Sequence, residues 1–136
     1  KTVANLKKTG AFTVSMATVD QLAACDYLGL VSGNQVPDKV ARAGFHTEKS
    51  SRVNAPVIAE LPMVLECRVK SYDEENERLV GEILNVSADE SILTDGKIDP
   101  AKLRPLVLDP VNHTYLVAEQ AVGKAFAHTK APGEIK

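Results

Sequence analysis

Two nine-residue segments, Val64–Tyr72 and Arg78–Val86, flank one acidic stretch, and that arrangement constrains the fold more than any other feature. Along Val64–Tyr72, Leu65, Cys67 and Val69 alternate with Glu66, Arg68 and Lys70, the period of a strand with one face inward. Asp73-Glu74-Glu75-Asn76-Glu77 interrupts the apolar pattern, which resumes over Arg78–Val86. The spacing predicts an antiparallel hairpin with a solvated tip and with Leu65, Cys67 and Val69 on the core side. The acidic run has the charge for a cation, but five polar residues between two strands suit a hairpin turn far better.

The rest of the chain adds short elements around that hairpin. Lys1–Gly10 reads as a helix with Thr2 as N-cap, Val3 and Leu6 on one face, and Gly10 as the stop. Phe12, Val14 and Met16 alternate with small polar residues, as in a half-buried strand. Thr18-Val19-Asp20-Gln21 has the form of a capping box, opening a helix with Leu22, Ala23, Cys25 and Leu28 inward. Pro37–Ala43 is framed as a helix by Pro37 at its start and Gly44 at its end. Pro56 and Pro62 keep Ser50–Pro62 extended and broken. Further along, Asp95-Gly96-Lys97 is a turn, Pro100–Leu103 a helical turn, and Leu106–Leu108 and Thr114–Val117 are strands. A turn or small helix follows around Gly123, and Lys130–Lys136 is a tail. The fold class expected is mainly β, a small antiparallel barrel with short peripheral helices.

Composition bounds the function. The 136 residues fit one domain, and 44% hydrophobic with 25% charged residues is an ordinary globular balance. A net charge of −2 argues against a nucleic-acid or anionic-membrane surface. No apolar run approaches the ~20 residues of a membrane-spanning helix, and no charged-then-apolar leader opens the sequence. Cys25 and Cys67 form no CxxC, which favours two buried free thiols in a reducing cytoplasm.

Chemistry is harder to find. His46, His113 and His128 lie far apart, with no ligand spacing for a metal. There is no GxSxG, and Gly29 and Gly33 fit neither a P-loop nor a dinucleotide fingerprint. With no self-sufficient catalytic set, any reaction would be carried by a bound cofactor. One local feature suits an anion: Lys1 and Thr2 at a helix start offer an ammonium, a hydroxyl and free N–H groups. A capped surface helix with an incidental lysine accounts for the same two residues equally well.

Several stretches resemble one family. They are Thr9-Gly10-Ala11-Phe12-Thr13-Val14, Ala24-Cys25-Asp26-Tyr27-Leu28-Gly29, Ser32-Gly33, Pro37-Asp38-Lys39 and Ala43-Gly44-Phe45. Val53-Asn54-Ala55-Pro56-Val57-Ile58, Glu60-Leu61-Pro62, Leu65-Glu66-Cys67-Arg68-Val69 and Leu79-Val80-Gly81-Glu82 continue the series. In order and spacing they resemble the flavin reductase-like family, flavoredoxin type, over nearly the whole chain. The resemblance implies an FMN-binding split β-barrel, a homodimer, with non-covalent FMN near the subunit interface. Its implied function is electron transfer between NADH or NADPH, or a redox protein partner, and flavin. The alternative is a non-catalytic flavin- or ligand-binding module of the same fold. By position, Lys1, Thr2 and Asn5 match the family's phosphate-binding stretch. Lys39 matches a second position that reaches the flavin; its plain alternative is an ion pair with Asp38 or a solvated helix residue. Family members carry further strands ahead of this stretch, so residues 1–136 are expected to form a single domain without its N-terminal strands.

Overall fold

The computed structural model describes residues 1–126; His128 and the tail Lys130–Lys136 lie outside the described residues. The chain starts with helix α1 (Thr2–Thr9) and strand β1 (Ala11–Ser15), followed by a 3-10 turn at Val19–Gln21 and helix α2 (Leu22–Leu30). Next come the single-turn helix α3 (Lys39–Arg42) and strands β2 (Thr47–Lys49), β3 (Pro56–Ile58), β4 (Met63–Asp73) and β5 (Arg78–Ala88). Strands β6 (Leu93–Thr94) and β7 (Lys97–Ile98), helix α4 (Pro100–Leu103), and strands β8 (Leu106–Asp109) and β9 (Thr114–Val117) complete it.

The hairpin expected from the alternating pattern is the centre of the fold. β4 pairs with β5 from Met63↔Ala88 to Asp73↔Arg78, and β1 pairs antiparallel along the other edge of β4 from Ala11↔Arg68 to Ser15↔Val64. Asp73 closes the acidic tip as an Asx turn, accepting from the backbone N–H of Glu75 and Asn76 and from Asn76 Nδ2. The tip is solvated, as expected, and Lys7 of α1 pairs with Glu74 across it. Cys67 is buried, and Leu65 and Val69 are half-buried. The alternation differs in one respect: Glu66, expected on the solvent side, is also buried. A bulge lies between Glu66 and Cys67, and the Ser50 segment covers the second face there.

The expected barrel does not close among the described residues. The main sheet has three strands in the order β1-β4-β5, and β2-β3, β6-β7 and β8-β9 are separate pairs. Three strands are too few to curl until first and last meet, so β1 and β5 remain edges.

Helix starts and stops differ from expectation in detail. Gly10, at φ 64, ends α1 in the left-handed region, with its N–H bonded to Leu6 O. Thr2 is the first helical residue and not the N-cap; Lys1 occupies the cap position and offers no side-chain cap bond. Thr18 likewise makes no side-chain cap, so the expected capping box is replaced by a 3-10 turn in which Gln21 N–H bonds Thr18 O. α2 keeps Leu22, Cys25 and Leu28 half-buried, but Ala23 is exposed. The Pro37–Ala43 helix shortens to the single turn of α3. Asp95 and Gly96 both have positive φ and form the β6–β7 turn, while Asp99 caps α4 by accepting from Ala101 N–H. β8 and β9 form as expected, and no helix follows around Gly123 within the described residues. The two cysteines are free, Cys67 buried and Cys25 half-buried, and burial pushes both thiols up from their ordinary range.

Candidate functional site

α1 ends at Gly10, which leads into β1, and Leu6 is its one buried residue, so its first turn is exposed. The first intrahelical bond runs from Asn5 N–H to Lys1 O at 3.0 Å. The N–H groups of Thr2, Val3 and Ala4 therefore precede the hydrogen-bonded turns, and no acidic side chain lies in that turn. Such a terminus carries a partial positive charge and open donors.

Two of the four expected residues, Thr2 and Asn5, share one cleft. It measures ≈ 270 Å³, and Phe12, Asn54, Ala55 and Pro56 form its other walls. Thr9 also lines it, its Oγ1 lying 3.0 Å from both Asn5 O and Ala11 O, either of which can accept its single proton.

The other two residues, Lys1 and Lys39, meet at the loop after α2. Lys1 Nζ donates to Gly33 O at 2.9 Å. Lys39 Nζ donates to Leu28 O and Val31 O, both at 2.7 Å, and so satisfies carbonyls at the C-terminal end of α2. Gly33 lies between the two stems: a Cβ on it would sit 3.3 Å from Lys1 Cδ and 3.7 Å from Lys39 Cε. An ion pair between Lys39 and Asp38 does not form, because Asp38 pairs with Arg42 at 2.9 Å and Lys39 turns to the carbonyls. The Arg42 guanidinium holds the Asp38 carboxyl below its usual range.

The four residues thus fall at neighbouring places joined through Lys1 and Thr2, a loop clasped by two ammoniums and a cleft headed by an open helix end. The hydroxyl, amide and backbone N–H groups of the cleft, with no carboxylate lining it, are donors that suit a phosphate, while the ammoniums of Lys1 and Lys39 are bonded to loop carbonyls outside it. The wall formed by Asn54, Ala55 and Pro56 was not marked as a site in the sequence. There it reads as a broken extended segment, which any connecting loop would give, and as part of the Val53–Ile58 stretch that carries the family resemblance, with no site role attached. Among the described residues no group of three His, Cys, Asp or Glu could hold a metal, and no helix is long and apolar enough to cross a membrane.

Comparison with known proteins settles the family. The model of the flavin reductase like domain matches residues 1–109. The chain belongs to the flavin reductase-like family. Among solved structures it is similar to flavoredoxin of Desulfovibrio vulgaris (Miyazaki F), with 33% identity and a TM-score of 0.88, covering 95% of this chain and 70% of that one. Flavoredoxin from Methanosarcina acetivorans is 31% identical at a TM-score of 0.80, covering 90% of this chain and 65% of that one. An FMN-binding domain of a flavin reductases-like enzyme from Shewanella baltica shares the fold at a TM-score of 0.75 and 19% identity, with 91% and 68% covered. No curated protein gives a match. These neighbours carry the split-barrel flavin reductase fold expected from the sequence, and among the described residues its sheets do not close.

Proposed function

We propose that this protein binds FMN without a covalent link and works in electron transfer between NADH or NADPH, or a redox protein, and flavin. Family membership supports a flavin-related redox role, and the Desulfovibrio and Methanosarcina relatives are flavoredoxins. The observation that carries the reading is the open first turn of α1 above the Thr2–Asn5 cleft, beside the lysine-clasped Gly33 loop. In this reading Thr2 Oγ1 and the adjacent N–H groups hold the FMN phosphate, Lys1 adds charge, and Asn5 fixes the cleft side. Lys39 serves the same end of the site by holding the loop that carries Gly33. FMN supplies the ring that takes up and releases electrons. The chain's own residues bind it, orient it and limit its exposure to water.

A homodimer belongs to the same proposal. β5 is an edge strand on which Val80, Ile83, Leu84 and Val86 are exposed, and Val107, Leu108 and Leu116 are exposed on β8 and β9. Apolar surface on unpaired edges is what a second copy would cover. Two free thiols fit a cytoplasmic setting.

Visible absorbance of the purified protein, then anaerobic addition of NADH and of NADPH, tests the function. Flavin bands that bleach support it. Yellow protein inert to both donors and to reduced protein carriers identifies a non-catalytic flavin-binding module instead. A colourless protein that takes up no added FMN overturns the reading.

A further inference from the structure

Glu66 is 3% exposed, the one carboxylate among the buried polar residues described. A charge is costly to bury unless its oxygens are bonded, and among the described residues no ammonium or guanidinium pairs with this one. Its partners are neutral: Ser50 Oγ donates to one oxygen and Asn85 Nδ2 to the other at 2.6 Å. These donors, with Arg52 nearby, hold the carboxyl below the usual range despite burial. An apolar side chain at this strand position would bury more cheaply, so the carboxylate needs another reason.

That reason lies in what Ser50 does next. While donating to Glu66, its hydroxyl oxygen accepts from Arg52 N–H at 3.0 Å and Val53 N–H at 2.9 Å. The loop closes on itself through Ser50 N–H to Ala55 O at 3.2 Å and Ala55 N–H to Val53 O at 2.9 Å. Beyond it, Pro56 O accepts from Thr13 Oγ1 of β1 at 2.5 Å. In register, Thr13 faces Glu66 and Glu66 faces Asn85, so the loop lies over one sheet face and is fastened there at two points. Its Asn54, Ala55 and Pro56 are the wall of the cleft opposite Thr2 and Asn5.

We infer that Glu66 is a positioning residue for the cleft, acting through Ser50 to hold the 51–55 loop against the sheet and so to set the wall that faces Thr2 and Asn5. Its consequence for FMN rests on the function proposed above. The carboxylate does not line the cleft; it fixes the hydroxyl rotor, and the rotor fixes the loop.

Glu66→Gln and Ser50→Ala in the full chain test this. Both are studied at a temperature where far-UV circular dichroism shows them folded. Glu66→Gln is expected to speed amide exchange at Arg52 and Val53 while the β4–β5 amides keep their protection. Each variant is expected to weaken FMN binding about two- to thirtyfold, read by flavin fluorescence. The double variant should lose no more than the worse single one, because both break one linkage. Unchanged exchange at Arg52 and Val53 overturns the inference, and so does exchange that rises equally across the sheet. A loosened loop with undiminished FMN affinity overturns its link to the cleft. A wild type that binds no FMN overturns the proposed function, while the exchange result still decides the role of Glu66. If Glu66→Gln does not fold, Ser50→Ala decides: undiminished FMN affinity overturns the inference, and weakening within the stated range supports it.

Discussion

The ring of Phe12 lies directly on Gly81. A Cβ at Gly81 would fall 2.4 Å from Phe12 Cζ and 2.8 Å from Cε1, with Arg68 O at 3.5 Å. Phe12 faces Cys67 across the β1–β4 ladder and Gly81 faces Val69 across β4–β5, so the ring reaches over the middle strand to the far edge. Gly81→Ala should therefore cost about 1–3 kcal/mol, the range for forcing extra atoms into a packed site. Urea unfolding measures it. In a Phe12→Leu background the same substitution should cost clearly less, and equal costs in both would show that the ring is not the obstacle.

Gly29 gives the contrasting case. It sits inside α2, with no heavy atom within 4 Å of a notional Cβ. Gly29→Ala should stabilise by about 0.5–1 kcal/mol, through helix propensity alone. A thermal midpoint lower than wild type would refute this.

These two glycines illustrate what the sequence could and could not disclose. The alternation of Leu65, Cys67 and Val69 around an acidic turn was enough for the hairpin, since period-2 patterns and turn residues act locally. Gly10 and Asp95-Gly96 likewise act over a few residues, and their stop and turn were legible, whereas the Asp99 cap on α4 appears only in the structure. Caps were legible only as residue types: Thr2 and Thr18 have the right hydroxyl, but neither makes the bond. The burial of Glu66 was not legible, because it depends on Ser50 sixteen positions away crossing the opposite face. Nor was the clasp of Lys1 and Lys39 on one loop, which needs α1 and α3 brought to the end of α2. Family resemblance supplied both lysines as candidates without their carbonyl partners.

Thr2→Ala tests the phosphate assignment. Losing one hydrogen bond to a charged group costs about 1.5–3 kcal/mol, so FMN binding should weaken about tenfold to a hundredfold. Riboflavin, lacking the phosphate, should bind nearly as before. Equal losses for both ligands would mean that Thr2 supports the helix and not the phosphate.

Lys39→Met separates holding the loop from touching the ligand. Its stem can still lie beside Gly33, but Leu28 O and Val31 O lose their ammonium. Stability should fall by about 1 kcal/mol, the scale of a charge at a helix C-terminus. Because Lys39 acts on the loop, FMN and riboflavin should weaken together and modestly. A loss confined to FMN would instead make Lys39 a direct phosphate ligand.

Acid should expose the Glu66 linkage. The hydrogen bonds from Ser50 and Asn85 lower its carboxyl in the folded state below the unfolded value of about 4.3. A depressed folded value means that the native state binds the proton more weakly than the unfolded chain. The resulting stability is fully present above the unfolded value and is lost as pH falls through the folded one. Glu60, Asp73, Asp89, Asp99 and Asp109 shift in the same direction through their own hydrogen bonds, so the whole acid limb cannot be assigned to Glu66. The difference between wild type and Glu66→Gln isolates it. Denaturant unfolding from pH 7 down to pH 3 should show the wild type's advantage constant at the upper end and shrinking below about pH 4.3. An advantage that persists unchanged at pH 3 would mean that the carboxylate's charge contributes nothing to holding Ser50.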